Sequence, residues 1–248
     1  MRNKRFLARK SHTLEVQFIR DRKLAELPVP QLAANFIPEW YKQVPMVSGP
    51  SDFGPAAPPA PSVRRCMPFL DIMTAGYIIP LWCDLAVTRR EEDNELSFTW
   101  FGGLNYRLIE DQGGAVGIPG ADRAYKLVSP WNIITPPGVS CLFTAPFNHD
   151  PNDRQMDFWS GIVDTDTYPS RVNFPFRWVG SDLDVVLSGT PIMQVIPFVR
   201  NSFNFTVIHE ESVESMDTLK SAQVSTSIKA KFGGVYRRTM WHKKDWVK

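Results

Sequence analysis

Apolar and polar residues alternate with a period of two over His12–Arg20, where Leu14, Val16 and Phe18 stand against Thr13, Glu15 and Gln17. That is the pattern of a half-buried strand. The densest stretch of such patterning lies further along. Phe158–Val163, Arg171–Phe176, Asp184–Leu187 and Ile192–Val199 are short runs rich in β-branched and aromatic residues, punctuated by Asp, Thr, Tyr-Pro and Ser-Gly, and each predicts a strand. Further strands are expected over Tyr77–Val87, Glu95–Phe101 and Phe203–His209. Two more are expected within Trp131–Phe147, on either side of the turn residues Pro136, Pro137 and Gly138.

Helical periodicity is confined to short pieces. Leu32, Phe36, Trp40 and Tyr41 suit a proline-interrupted helical stretch whose aromatics staple the core. Cys66, Phe69 and Met73 suit one or two turns ended by Gly76, and Glu211–Lys231 is weakly helical before Gly233 and Gly234. The expected fold class is mainly β: a jelly-roll or related β-barrel or sandwich with short helical decorations. Folds of this kind host enzymes, binding modules and capsid parts alike, so architecture alone assigns no activity.

Composition adds organisation. At 248 residues, with 43% hydrophobic and 22% charged residues, the chain suits a single β-rich domain over residues 1–248. Gly49–Pro61 holds five prolines and three alanines in thirteen residues, a polyproline-like strap over the surface rather than an element. The Gly-rich tract Asp111–Gly120 lacks the lysine and hydroxyl of a phosphate loop. The overall charge of +2 is unevenly spread: residues 1–10 carry +5 and residues 229–248 carry +6, leaving −9 on the remainder. Two basic ends, an arm over residues 1–10 and an aromatic-basic tail over residues 233–248, are expected either to touch something anionic or to be solvated.

Cys66, Cys83 and Cys141 are odd in number and form no CxxC pair, which favours reduced core residues over a disulfide framework or a zinc site. No signal-peptide-like apolar run follows MRNKRFLARK, and no stretch approaches the roughly 20 apolar residues of a membrane helix. The expected location is a virion or host cytoplasm, without membrane contact.

Candidate chemistry is sparse. His149-Asp150 and His209-Glu210 offer the ligand types of a cupin-type iron site, but adjacent residues of a strand point to opposite faces. Asp164 and Asp166 stand two apart and either share a strand face or cap a turn before Tyr168-Pro169. No Gly-x-Ser-x-Gly elbow is present, so no catalytic residue, metal ligand or cofactor is assigned. In the tail, Tyr236 and His242 accompany Arg237, Arg238, Trp241, Lys243, Lys244 and Trp246. These last six are the candidate partner-binding residues. Rings interleaved with cations serve either single-stranded nucleic acid or a neighbouring subunit, and the second is preferred here.

Two resemblances extend this reading. The segments IPEWYKQVP, RRCMPFLDIMTAGYIIPLWCDLAV, ITPPGVSCLFTAPFN, GIVDTDTYPSRVNFPF and GTPIMQVIPFVR resemble an uncharacterised family encoded by tailed bacteriophages and some bacteria. That resemblance implies a phage setting and no activity. Three shorter stretches, TAGYIIPL, GIVDTDTY and GTPIMQV, are similar to motifs of the trimeric dUTPase family. This second resemblance implies a β trimer, with Asp164 as the water-activating base and Tyr168 as the base-stacking ring, although Ile78 stands where an aspartate is expected. Together these observations lead to the expectation of a non-enzymatic bacteriophage structural or assembly protein. It would form a symmetric homo-oligomer, a trimer if the second resemblance holds, with other particle proteins as partners and nucleic acid a further contact of its basic ends. A dUTPase-like pyrophosphatase and a cupin-type metal-dependent enzyme are the alternatives.

Overall fold

The computed structural model describes residues 14–20, 26–49, 60–101, 107–112, 123–207, 236–244 and 246. The expected arm over residues 1–10, the interior of the proline-rich strap, most of the Gly-rich tract and the weak helix of Glu211–Lys231 lie outside them. The fold is mainly β, with fourteen short strands and every strand pairing antiparallel among the described residues.

A five-stranded sheet is the backbone of the molecule. Its strands, in spatial order, are β11 (Gly161–Val163), β9 (Val139–Thr144), β14 (Pro191–Val199), β3 (Tyr77–Pro80) and β2 (Gln31–Leu32). Facing it are a four-stranded sheet, β10 (Met156–Phe158), β12 (Phe174–Trp178), β7 (Tyr125–Leu127) and β6 (Ile109–Asp111), and a three-stranded sheet, β13 (Leu183–Val186), β4 (Leu85–Arg89) and β5 (Leu96–Trp100). The period-two alternation decides which face each residue takes. Ile79, Cys141, Phe143 and Val195 of the five-stranded sheet point into one core with Leu85, Val87, Leu127, Phe174 and Phe176 of the other two. Aromatic contacts tie the layers together: Phe143 lies 6.1 Å from Phe174, and Phe98 lies 4.8 Å from Tyr125. These edge-to-face and tilted pairs add to the stabilisation from buried area. A small ribbon, β1 (Gln17–Ile19) with β8 (Asn132–Ile134), closes one flank, where Phe18 meets Tyr77 edge-on at 5.2 Å.

The outer face of the five-stranded sheet is covered by helices. Helix α1 (Glu39–Gln43) and helix α2 (Met67–Met73) meet through Tyr41 stacked on Phe69, with Trp40 edge-on to the same ring. Gln194, fully buried in β14, fastens α2 to the sheet. Its amide donates to the carbonyls of Ile72 and Ala75 at 2.9 and 2.8 Å and accepts from the Phe147 amide at 3.0 Å. Gly76 ends α2 at φ +67°, and a Cβ there would lie 2.1 Å from the Val195 carbonyl, so only glycine fits this approach.

Three strand expectations are corrected. Tyr77–Val87 is not one strand: after Pro80 the chain turns through Leu81–Asp84 and crosses from the five-stranded to the three-stranded sheet as β4. β13 and β14 make the same crossing beside it, and the corner is bonded across: Leu81 donates to Thr190 O, Gly189 to Leu81 O and Ser188 to the Asp84 carboxylate, each at 2.7 Å. Sandwich corners are made by strands that switch sheets in this way, and an unbroken apolar run cannot signal it. Phe158–Val163 likewise divides at Trp159-Ser160, so that β10 and β11 serve different sheets. Finally, the described residues 203–207 of the expected last strand Phe203–His209 are assigned no strand and, with Asn201 and Ser202 before them, are all exposed.

The strap is placed only at its base. Ser48 donates to Ala60 O, Ala60 to Gly49 O and Ser62 to Met46 O, while Val47 bridges Pro61. The proline-rich segment therefore leaves and returns at one point on the surface. Cys83 and Cys141 are buried as expected, whereas Cys66, also expected in the core, is exposed at the start of the α2 segment; burial pushes the Cys83 thiol up to about 12, and the two buried thiols are inert at neutral pH.

Candidate functional site

Residues of the predicted partner-binding tail come together against α2 of the same chain. Trp241 donates its indole N–H to the Asp71 carboxylate at 2.8 Å, and the Lys244 ammonium pairs with the same oxygen at 2.8 Å while lying 5.6 Å over the Trp241 ring. Asp71 sits in the last turn of α2, where the helix dipole disfavours an anion; the ammonium and the indole donor offset that cost. Tail and helix enclose a cleft of about 430 Å³ with Leu32, Ile37, Met67 and Leu70 as its floor. Arg237, Trp241, Lys243, Lys244 and Trp246 line its rim. Arg238 is exposed nearby, in the tight turn of Tyr236–Met240, and does not line the cleft. The chemistry is that of an apolar trough with a cationic border, suited to an acidic segment that also carries apolar side chains.

The second cluster gathers Asp164, Asp166 and Arg200. Residues 164–168 form a turn, in which Thr167 and Tyr168 donate to the Asp164 carbonyl at 3.0 and 2.8 Å. Both aspartates nevertheless converge on one cation. Arg200 spans both Asp166 oxygens and reaches Asp164 at 3.1 Å; Gly138 N–H adds a bond to Asp166, and Ser140 a bond to Asp164 at 2.6 Å. The Arg200 guanidinium, followed by the Gly138 amide, holds the Asp166 carboxyl down to about 2. Beneath the turn, buried Thr165 bonds Thr135 at 2.8 Å. The cluster thus locks the β9 and β14 ends to the turn after β11. Arg200 was not legible as a member, because it lies 34 residues from Asp166 and follows an ordinary strand.

His149 borders a cleft of about 480 Å³ with Trp40, Phe69 and Arg154. Burial first, and the Arg154 guanidinium second, hold its imidazole below the usual range. Its neighbour Asp150 caps a short turn by accepting from the Asn152 amide at 2.9 Å. Among the described residues no three His, Cys, Asp or Glu side chains gather as metal ligands; His12, His209 and Glu210 lie outside them. No helix among the described residues is long and apolar enough to cross a membrane.

Comparison with protein families, with curated proteins and with solved structures finds no match to this chain.

Proposed function

We propose that this chain is a non-enzymatic structural or assembly protein of a bacteriophage-type particle, working as a symmetric oligomer with a jelly-roll-like core. The observation that carries the reading is the apolar load on its surface. Phe203 and Phe205 are 89% and 90% exposed and Leu183 is 77% exposed. Exposed apolar side chains of this size mark surfaces that associate. The motif resemblance supplies the phage setting, and the cationic, tryptophan-bearing cleft supplies a second surface for neighbouring particle proteins.

The dUTPase-like alternative would use Asp164 to activate water, but that carboxylate is engaged by Ser140 and Arg200. The cupin-type alternative would need His149 as a ligand, and the charged side chain acting most strongly on it is the Arg154 guanidinium, ahead of the Asp153 carboxylate. The test is native mass spectrometry of full-length protein beside truncations lacking residues 1–10 or 235–248. A closed oligomer that weakens in either truncation, with the β core still folded, is expected. Wild-type assembly in both truncations would refute a role for the two ends, and a monomeric wild type, or one that hydrolyses dUTP in any oligomeric state, would overturn the whole reading.

A further inference from the structure

Two exposed apolar ladders match each other in spacing. The first belongs to residues 201–207, which continue from β14 without a partner strand; Phe203, Phe205 and Val207 alternate there with Ser202, Asn204 and Thr206, and Val207 is 70% exposed. The second belongs to β13, which among the described residues is an edge strand paired on one side, to β4. Leu183, Val185 and Leu187 alternate along it and its continuation and are 77%, 52% and 62% exposed.

The free side of β13 also carries no strand ladder among the described residues. Arg89 donates to the Asp182 carbonyl, which makes Asp182 and Arg89 a hydrogen-bonded pair. By alternation Asp184 and Val186 also turn their amides and carbonyls to β4, so those of Leu183 and Val185 turn outward. In agreement, these outward groups are held by local side chains rather than by a strand: the Leu183 carbonyl accepts from the Ser181 hydroxyl at 2.7 Å and the Val185 amide donates to the Asp184 carboxylate at 2.8 Å, bonds that an incoming strand would replace. An outward row of amides and carbonyls beside an apolar ladder is a template for one more strand.

Residues 201–207 cannot reach that edge in their own copy. β13 joins β14 at the sheet-switching corner, whereas residues 201–207 leave the opposite end of the nine-residue β14, about 30 Å away at strand rise. Seven extended residues reach at most about 25 Å, too short to return and then run alongside β13.

We infer that residues 201–207 of one copy add as a strand to the free edge of β13 in a second copy, zipping Phe203, Phe205 and Val207 against Leu183, Val185 and Leu187. The inference rests on the assembly reading above and specifies its contact. Because the donor and acceptor surfaces differ, the contact is head-to-tail, and copies related by it close into a ring or extend as a filament.

The test uses two full-length variants. F203D/F205D places charge on an exposed segment outside the core. V185P removes an amide that faces away from β4, which an edge strand tolerates. Oligomer mass is measured by native mass spectrometry and light scattering across a concentration series, with thermal unfolding as the folding control. The expected result is an oligomeric wild type and two folded variants that are each monomeric or at least tenfold weaker in association. Mixing them should restore a single contact, from the intact 201–207 segment of V185P to the intact β13 edge of F203D/F205D, giving a one-to-one dimer that grows no further. If V185P unfolds, F203D/F205D alone decides. Wild-type assembly in F203D/F205D would overturn this contact while leaving the assembly reading standing; a wild type monomeric throughout would overturn both.

Discussion

Gln194 is the polar side chain on which the outer layer depends, and Q194L tests that dependence. The substitution keeps the volume and burial of residue 194 but deletes one acceptor and two donors, leaving the Phe147 amide and the Ala75 carbonyl without that partner while the Ile72 carbonyl keeps the Ala75 amide at 3.4 Å. Each net hydrogen bond contributes about 1 kcal/mol, and each buried group left unpaired costs about 1–3 kcal/mol. Extra apolar burial by leucine returns about 1–2 kcal/mol. The expected loss is therefore about 3 kcal/mol, a large part of the roughly 5–15 kcal/mol that holds a domain folded. In a chain of this length it corresponds to a fall of about 6–12 °C in Tm. Urea unfolding followed by tryptophan fluorescence gives the free energy directly. Q194E separates shape from donors: ionised, it donates to neither carbonyl, and protonation at low pH restores one donor, so its deficit should narrow as the carboxyl protonates. A loss below about 1 kcal/mol in Q194L, with an unchanged m-value, would show that α2 is held by its aromatic contacts alone.

Glycine substitutions should separate close approach from backbone conformation. Gly76→Ala meets the Val195 carbonyl at 2.1 Å, whereas Gly138→Ala, at φ +82°, meets nothing within 4 Å. Gly138→Ala is expected to cost only the left-handed penalty of about 1–2 kcal/mol and Gly76→Ala clearly more, as read by the same unfolding assay; equal losses would refute the steric account. The Asp166 carboxyl, held down to about 2 by Arg200, contributes stability that is complete above its unfolded value of about 3.9 and is lost as pH falls through the folded value. Stability should therefore decline between about pH 4 and 2. Arg200→Ala should raise the Asp166 pKa, measured by carboxyl NMR titration, and flatten that decline; an unmoved titration would refute the pairing.

Strand content was legible wherever alternation was regular and bounded by turn residues. Ile192–Val199 and Glu95–Phe101 were placed within a residue or so, and the aromatics at positions 36–41 became a helix staple as the pattern implied. Sheet membership was not legible. Pro80–Asp84 and Trp159-Ser160 interrupt continuous apolar text, and the reason they do so is tertiary: each segment must leave one layer for another. Phe203–His209 shows the converse. Its alternation is that of a strand, yet residues 203–207 find no partner among the described residues, because local pattern encodes the capacity to pair and says nothing about which edge is met. Of the site, the cationic-aromatic composition of the tail was visible, but its docking on Asp71 was not, since a single acidic residue in a short apolar helix carries no signal of its distant partner.

The bonded corner where β3/β4 and β13/β14 pass together between sheets has a consequence for how the molecule comes apart. Two adjacent strands crossing as one ribbon leave neither layer able to peel away without tearing the hydrogen bonds that Leu81, Ser188 and Gly189 make at the crossing. Opening should then proceed as one cooperative unit, and the amides of Val87 in one layer and Val195 in the other should exchange with solvent at a shared free energy equal to that of global unfolding. A sandwich built this way would yield to mechanical load all at once rather than layer by layer.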